Sequence, residues 1–284
     1  MDAKLFISSK PLRSAKSENV CEDNTRERLN FLNVPIDIVK PDQLNSLVFS
    51  LLAEKGKCNI VLLSLWDLLR ARRNSEYREY IKQATLVIPI SKSIVTGIKF
   101  LLKKPAIRYM PFDFIIYLLT ALEGYGFSSY LLGGKKHILA KIEKNIRVTF
   151  PRLQIVGRFN GYYKKHDEAA VIEAIRKASP SLLLVGKGVR GSEYWIARNS
   201  EKIGSGMRLW CSDIFDVFAE RKKHPSKVVF DLGLEWIGYC LHNPLKFFRI
   251  FPFIYYNILL LVYRIFRKKK IEAGKLGEMI SPNG

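Results

Sequence analysis

The sequence predicts an α/β protein with a Rossmann-like, mostly parallel sheet that carries helices on both faces. Short apolar runs alternate with segments of helical spacing, and 48% of the 284 residues are hydrophobic, which is enough for a substantial core. Strands that alternate with helices in this way form βαβ units, whose strands lie parallel in one sheet. The length allows one large domain, or one domain with an appendage.

The predicted strands are aliphatic runs at residues 59–64, 85–90, 128–132, 153–156, 181–185 and 207–211. Residues 67–84, 113–124, 135–145, 167–178 and 192–203 have helical spacing. Apolar runs of this length, bounded by turn residues, are typical of buried strands. We therefore expect an α/β domain over residues 29–225, a mobile polar leader at 1–28 and a C-terminal appendage at 226–284.

The net charge of +21 predicts an anionic partner. Anionic lipid, phosphorylated substrates and nucleic acid all fit this requirement. The basic residues are spread along the chain, and neither a recognition helix nor an RNA-binding aromatic strand is recognisable, so nucleic acid is not predicted as a partner. The N-terminus lacks the apolar core of a signal peptide, which favours a cytoplasmic location.

The cysteines and histidines are too scattered to suggest a metal site. Cys21, Cys58, Cys211 and Cys240 form no closely spaced pair, and the four histidines are equally far apart. Such spacing argues against a disulfide framework and against structural zinc. We predict reduced, buried thiols, no metal and no cofactor.

The segment 243–270 is aromatic and basic, and residues 250–263 are uncharged. This run is shorter than the roughly 20 apolar residues of a membrane-spanning helix. In a helix, one face carries Asn257, Arg264, Arg267 and Lys268, and the other Phe253, Tyr255, Ile258, Leu259, Val262 and Phe266. The pattern predicts a helix in the membrane interface, with Arg249 and the basic face toward anionic headgroups or a lipid-linked acceptor. A core helix that docks on the sheet is the alternative.

Two glycine turns follow predicted strands and are candidates for phosphate binding. Gly133 and Gly134 precede Lys135 and Lys136 at the expected start of a helix. Two glycines, two lysines and a helix N-terminus form a phosphate cradle, although a plain turn with solvated lysines fits this segment equally well.

The second turn runs from Gly186 to Gly191 with the spacing GxGxxG. It permits a dinucleotide site, a tight strand-to-helix turn, or a turn that holds the diphosphate of a nucleotide sugar. A dinucleotide site requires an acidic residue about 20 positions on, and Asp213 stands in an unusual context for one. We favour the nucleotide sugar, with Gly186 and Gly188 at the diphosphate, because open α/β sheets bind ligands at the carboxyl ends of their strands.

A longer set of segments occurs in a fixed order from Leu29 to Arg249. The segments are 84–89 (ATLVIP), 131–134 (LLGG), 151–157 (PRLQIVG), 160–163 (NGYY), 179–188 (SPSLLLVGKG) and 233–236 (GLEW), with Arg108, Asp113, Glu193, Trp195, Ile196, Phe215, Asp216, Pro225 and Pro244 between and after them. Together they resemble the WecG/TagA/CpsF family of glycosyltransferases.

The resemblance implies a Rossmann-like domain with a membrane-seeking C-terminal appendage. It also implies transfer of a sugar, often of the N-acetylmannosamine type, from a UDP-sugar to an undecaprenyl-diphosphate-linked saccharide in bacterial surface-polysaccharide synthesis. Such an enzyme would work as a peripheral protein on the cytoplasmic face of the plasma membrane, and a homo-oligomer is compatible with that role.

The sequence departs from the family pattern where a catalytic base is expected. The family has Asp-Gly after the strand at 84–89, and that aspartate is its proposed base, whereas Ile90 and Ser91 stand here. An aliphatic side chain cannot accept a proton. Ser192 occupies the place of a glutamine, and Lys223 that of an arginine.

Two interpretations therefore remain. In the first, another carboxylate is the base, with Glu193 the first candidate and Asp113 the second, and Arg108 holds the leaving diphosphate. The expected substrate-binding set is then Arg108, Gly133, Gly134, Gly186, Gly188, Ser192 and Asp216. In the second, the fold persists without catalysis, and the protein binds a partner transferase or a lipid-linked glycan. Structural alternatives are a helix N-terminal carboxylate for Glu193 and a surface ion pair for Arg108.

Overall fold

The computed structural model describes residues 26–54, 56–204, 206–222, 227–233 and 250–280. The chain divides into two compact units, and each is described by itself. Among the described residues, unit 1 contains Val39–Cys58 and Ile115–Lys222, and unit 2 contains Arg28–Ile38, Asn59–Phe114 and everything after Lys222. The expected leader up to residue 25 and the expected boundary at residues 225–226 lie outside the described residues.

The strands are β1 (Glu27–Phe31), β2 (Val34–Ile38), β3 (Lys57–Leu63), β4 (Leu86–Pro89), β5 (Ser128–Leu132), β6 (Gln154–Phe159), β7 (Leu182–Gly186) and β8 (Gly206–Ser212). The helices are α1 (Leu44–Ala53), α2 (Leu65–Arg73), α3 (Ser75–Lys82), α4 (Lys92–Leu102), α5 (Pro111–Tyr125), α6 (Lys136–Thr149), α7 (Glu168–Ala178), α8 (Tyr194–Ile203), α9 (Ile214–Phe218), α10 (Lys227–Leu232) and α11 (Ile250–Ile280).

All six predicted strands are present, but the prediction of one helix over residues 67–84 is wrong. The chain forms α2 and α3 instead, with Asn74 between them in an extended conformation. The Asn74 side chain accepts a hydrogen bond from the amide of Tyr77 and so caps the new helix. A capping residue inside a periodic apolar pattern therefore divided the helix.

Unit 1 contains four parallel strands in the order β8-β7-β5-β6. Helix α6 joins β5 to β6, α7 joins β6 to β7, and α8 joins β7 to β8. The chain thus runs outward from β5 to β6 and then returns to β7 on the other side of β5. The strand order reverses between β5 and β7, which is the topological switch point where open α/β sheets bind ligands.

The core of unit 1 lies on both faces of this parallel sheet. Every residue of β7 is buried. On one face, Tyr130 and Val185 pack with Ile175 of α7 and Trp195 of α8. Leu184 alternates to the other face and is equally buried. A fully buried aliphatic strand requires cover on both sides, and the predicted fold class is confirmed.

Unit 2 is held by a polar cluster that the sequence did not reveal. Strands β1 and β2 form a two-stranded sheet, joined by Leu32 and Asn33 at positive φ. The Asp37 carboxylate of β2 is 0% exposed. It accepts two hydrogen bonds from the Arg28 guanidinium, at 2.7 and 2.8 Å, and one from the backbone amide of Val87 in β4. Arg28 was expected in the mobile leader, but the structure places it in β1, because its charge pairs with this buried carboxylate.

Strands β3 and β4 of unit 2 pair in parallel, with Leu63 opposite Pro89. Both end at the same edge, where Ser64 follows β3 and Ile90 follows β4. The end of β4 is thereby fixed beside the start of α2, since the Ser91 hydroxyl accepts a hydrogen bond from the amide of Leu65 at 2.9 Å.

Helix α11 begins at Ile250, so Pro252 stands in its first turn, as expected. The helix packs on α4 and α2. Tyr256 is its main anchor, because the ring lies directly over Gly97 of α4 and the hydroxyl donates to the Ser93 carbonyl at 2.8 Å. Among the described residues, no helix has an apolar stretch long enough to cross a bilayer.

Candidate active site

The two predicted glycine turns meet at the switch point of unit 1. Gly133 has φ 134°, and a Cβ on it would lie 2.7 Å from the backbone of Gly186. The Gly134 amide donates to the Lys187 carbonyl at 2.6 Å. Only glycine permits both the conformation and this approach of two backbones. The turns after β5 and β7 therefore form one backbone-lined surface.

The loop after β6 joins the same surface. The Gly161 amide donates to the Gly134 carbonyl at 2.9 Å, and a Cβ on Gly161 would lie 2.6 Å from the Lys187 carbonyl. The ring of Tyr162 lies over Gly188, yet the side chain remains 61% exposed. This exposed ring was not among the predicted site residues, although its place after Gly161, beside a phosphate-type turn, was a usable signal.

The predicted start of the helix after the second turn needs correction. We expected it at Ser192, but α8 begins at Tyr194, with Glu193 at the N-cap. Ser192 has φ 52° and belongs to the preceding turn. Gly186 itself packs against the ring of Phe215. The GxGxxG spacing thus reflects close packing of a long turn, and α8 does not begin directly at Gly188.

Glu193 is half-buried and lies at the start of α8. Its side chain makes no capping hydrogen bond to the amides of that helix. The structural alternative, a carboxylate at the helix N-terminus that stabilises the helix dipole, fits this position as well. Ser192 is exposed beside it.

A network of charged side chains lies at the ends of β7 and β8. Lys187 forms ion pairs with Asp213 and, at 3.3 Å, with Asp216. Lys222 also pairs with Asp213, and Arg221 pairs with Asp216 at 3.3 Å. Burial would lower the pKa of Lys187, but its hydrogen bonds and charge interactions with the two aspartates outweigh this and raise it. The predicted residue Asp216 is therefore part of a mixed-charge cluster on the switch-point surface.

Tyr163 provides a buried hydroxyl near this surface. Burial, followed by the nearby Glu168 carboxylate, raises the pKa of this hydroxyl to about 12. Glu168 accepts a hydrogen bond from the Trp195 indole at 2.8 Å. The Tyr163 side chain thus packs against the core of unit 1, whereas the adjacent Tyr162 side chain stays exposed.

Arg108 and Asp113 belong to unit 2, whereas the glycine turns belong to unit 1. The Arg108 guanidinium donates to the Ile90 carbonyl at 2.8 Å and to the Phe230 carbonyl at 2.5 Å. It also stacks on the Phe230 ring at 3.6 Å. These contacts give Arg108 a packing role in joining α10 to the end of β4. Asp113 lies exposed in the first turn of α5, where a carboxylate favours the helix dipole.

The C-terminal helix presents its apolar residues differently from the prediction. The buried face consists of Tyr256 and Leu260, and Phe253 and Leu259 are half-buried. Arg264 stacks on Phe100 of α4, at 4.3 Å, so it does not lie on a free polar face. The exposed apolar stripe is Phe251, Ile254, Tyr255, Ile258, Leu261, Val262, Ile265 and Phe266. Arg249 lies outside the described residues, and the side chains of Arg267 and Lys268 are not described.

The cysteine prediction is confirmed for the two described thiols. Cys58 and Cys211 are buried thiols that form no disulfide within the described residues, and burial raises the pKa of Cys211 well above its usual range. Cys21 and Cys240 lie outside the described residues. Within the described ranges, no three His, Cys, Asp or Glu side chains come together as metal ligands.

The sequence model of the glycosyl transferase WecG/TagA/CpsF family matches residues 29–274. A curated relative from Bacillus spizizenii, an N-acetylglucosaminyldiphosphoundecaprenol N-acetyl-beta-D-mannosaminyltransferase, is 24% identical over 180 residues. The alignment covers 63% of this chain and 69% of the relative. The family match includes every strand of the parallel pairs in both units.

Proposed function

The chain belongs to the WecG/TagA/CpsF family of glycosyltransferases, and we propose that it transfers a sugar from a UDP-sugar to an undecaprenyl-diphosphate-linked saccharide. This reaction would be one step in the synthesis of a bacterial surface polysaccharide. The name of the Bacillus relative gives an acceptor of this class for that protein, which supports the same class here.

The observation that carries the donor site is the glycine surface at the switch point between β5 and β7. Gly133, Gly134, Gly186 and Gly188 keep side chains away from a place where three loops meet. Ligands of open α/β sheets bind at this point of the topology. A diphosphate in a backbone cradle needs close approach to the main chain, and turns whose glycines carry no side chains support that approach.

Tyr162 and Asp216 are proposed to bind the nucleoside. An exposed aromatic ring on the edge of a phosphate-type turn is suited to stack on a base, which contributes about 1–3 kcal/mol in comparable sites. A carboxylate held in place by Lys187 and Arg221 can accept hydrogen bonds from ribose hydroxyls. The donor would then lie across the turn from Tyr162 to Asp216.

Glu193 is proposed as the base. It would take the proton from the acceptor hydroxyl while that oxygen bonds to the anomeric carbon of the donor sugar and UDP departs with the bonding electrons. Its position at the start of α8, directly after the glycine turn, supports this role. Asp113 remains the second candidate.

The exposed stripe of α11 is proposed to lie in the membrane interface, on the cytoplasmic face of the plasma membrane. Its members recur three or four residues apart over about 23 Å of helix. An apolar stripe with basic residues after it is typical of helices that lie flat in a membrane. Contact with lipid would bring the enzyme to an acceptor that is itself lipid-linked.

The donor proposal is tested by calorimetry with UDP and a panel of UDP-sugars. We expect micromolar binding of at least one UDP-sugar. Tyr162→Ala should weaken UDP binding about tenfold or more, whereas Tyr125→Ala, at another exposed tyrosine of unit 1, should leave it unchanged. A folded protein that binds no nucleotide sugar would contradict the donor site and favour the interpretation without catalysis.

The membrane proposal is tested by sedimentation with vesicles that contain anionic lipid. Ile258→Asp, in the exposed stripe, should reduce the bound fraction strongly. Asn257→Asp adds the same charge at the neighbouring exposed position outside the stripe and should reduce it much less. Equal loss in both variants would mean that charge alone, and not the apolar stripe, determines binding.

A further inference from the structure

The backbone of Lys187 is held by neighbouring loops, and its side chain is partly exposed. Its carbonyl accepts the Gly134 amide and lies against Gly161, so three loops hold the backbone. Gly186 and Gly188 flank it and carry no side chains. The lysine side chain between these two glycines is 44% exposed.

The ion pairs of Lys187 are duplicated by other cations. Asp213 also pairs with Lys222, and Asp216 also pairs with Arg221. The cluster thus holds three cations and two carboxylates, and each carboxylate keeps one cation if Lys187 leaves. Ion pairs with this exposure contribute little to stability, so the loss of the two Lys187 pairs costs little.

We propose that Lys187 is the cation that binds the diphosphate of the donor, and that it exchanges Asp213 and Asp216 for phosphate oxygens when the donor binds. This inference rests on the proposed function, since it names the residue that recognises the phosphates of that donor. An ammonium on a flexible stem is suited to such an exchange, because it binds phosphate as a point charge without a fixed geometry.

The exchange would also change the hydrogen-bonding capacity of Asp216. Once Lys187 has moved to the phosphates, Asp216 retains Arg221 and gains capacity to accept hydrogen bonds from a ribose. Donor binding and the release of Asp216 are then one event. Arg108 of unit 2 offers no comparable exchange, since two carbonyls and an aromatic ring already engage its guanidinium.

The test compares the affinities of UDP and uridine in the full-length protein. Lys187→Met should weaken UDP binding about 10- to 100-fold, the usual cost of a charged hydrogen bond, and should leave uridine binding unchanged. Lys177→Met removes an exposed cation of α7 that pairs with Glu173, outside the cluster, and should leave both affinities within about twofold. Lys187→Arg should retain most of the UDP affinity, which separates a lost charge from a disturbed turn.

The outcomes separate this inference from the function on which it rests. If Lys187→Met bound UDP as tightly as the wild type, the inference would be overturned and the donor site would stand. If Lys187→Met and Lys177→Met weakened UDP binding equally, general charge and not Lys187 would be responsible, and the inference would again be overturned. A wild-type protein that bound neither UDP nor uridine would overturn both proposals.

Discussion

The carboxyl ends of the parallel strands serve different purposes in the two units. In unit 1 the turns after β5 and β7 contain glycines, the loop after β6 adds an exposed ring, and a charged cluster lies at the ends of β7 and β8. In unit 2 the residues that follow β3 and β4 serve the local backbone. Ser64 caps α2 together with Asp67, and Ser91 accepts the amide of Leu65. Unit 1 thus carries the surface proposed to bind the donor, while unit 2 has Ile90 where the family resemblance implies a carboxylate.

This contrast predicts that the base comes from unit 1. Glu193→Gln should lower kcat about 100- to 10,000-fold, the range attributed to a general base, and should leave UDP binding unchanged. Glu201→Gln, at an exposed carboxylate near the other end of the same helix, is the matched control and should have a small effect. The measurement is UDP release from the UDP-sugar in the presence of a lipid-diphosphate-linked acceptor. Equal kcat in Glu193→Gln and wild type would contradict Glu193 as the general base and favour Asp113.

The two adjacent glycines of the first turn test whether backbone approach defines unit 1. Gly133→Ala should reduce the free energy of unfolding by about 3 kcal/mol, because φ 134° and the contact with Gly186 exclude a side chain. Gly134→Ala has φ 67° and open space around its Cβ, so about 1 kcal/mol is expected. Denaturant unfolding measures both values. Equal losses would mean that conformation alone, and not the approach of two turns, requires glycine here.

Arg108 tests the other side of the comparison. Arg108→Met should reduce stability by about 1–2 kcal/mol through the loss of two hydrogen bonds to carbonyls. UDP affinity should stay within about twofold. Lys92→Met, which removes another cation from a carbonyl of α10, should also spare UDP binding. A tenfold loss of UDP affinity in Arg108→Met alone would support the original expectation that this arginine binds the diphosphate.

The smallest expected effect is the pH dependence of the charged cluster. Burial would raise the pKa of Asp213, but hydrogen bonds from Lys187 and Lys222 outweigh it and hold the pKa below its usual range. A lowered pKa gives stability that is present above the unfolded-state value and is lost as the pH falls through the folded-state value. The contribution should be under about 1 kcal/mol, since the pairs are half-exposed and screened. Asp213→Asn should remove this part of the acid dependence, which thermal melting between pH 2 and 6 can detect.

Periodicity predicted the parallel strands well, because aliphatic runs such as 182–185 leave no alternative to burial on both faces. The glycine turns were predictable for the same reason, since their position after strands follows from spacing. The break at Asn74 was not, because a capping side chain changes the backbone without changing the apolar pattern. The roles of Lys187 and Arg108 also escaped prediction. A basic residue in a sequence has no visible partner, and here one cation pairs with two carboxylates while the other binds carbonyls.

The buried carboxylate of Asp37 has a consequence for how the chain matures. Its partner amide, Val87, comes 50 positions later in the sequence. At 5–20 residues per second, a ribosome needs roughly 3 to 10 seconds to synthesise that interval. During this time β1 and β2 can form their own ribbon, but the carboxylate cannot yet complete its set of bonds and must stay hydrated. Strands β1 and β2 therefore cannot bury the Asp37 carboxylate with all its hydrogen bonds until β4 has been synthesised.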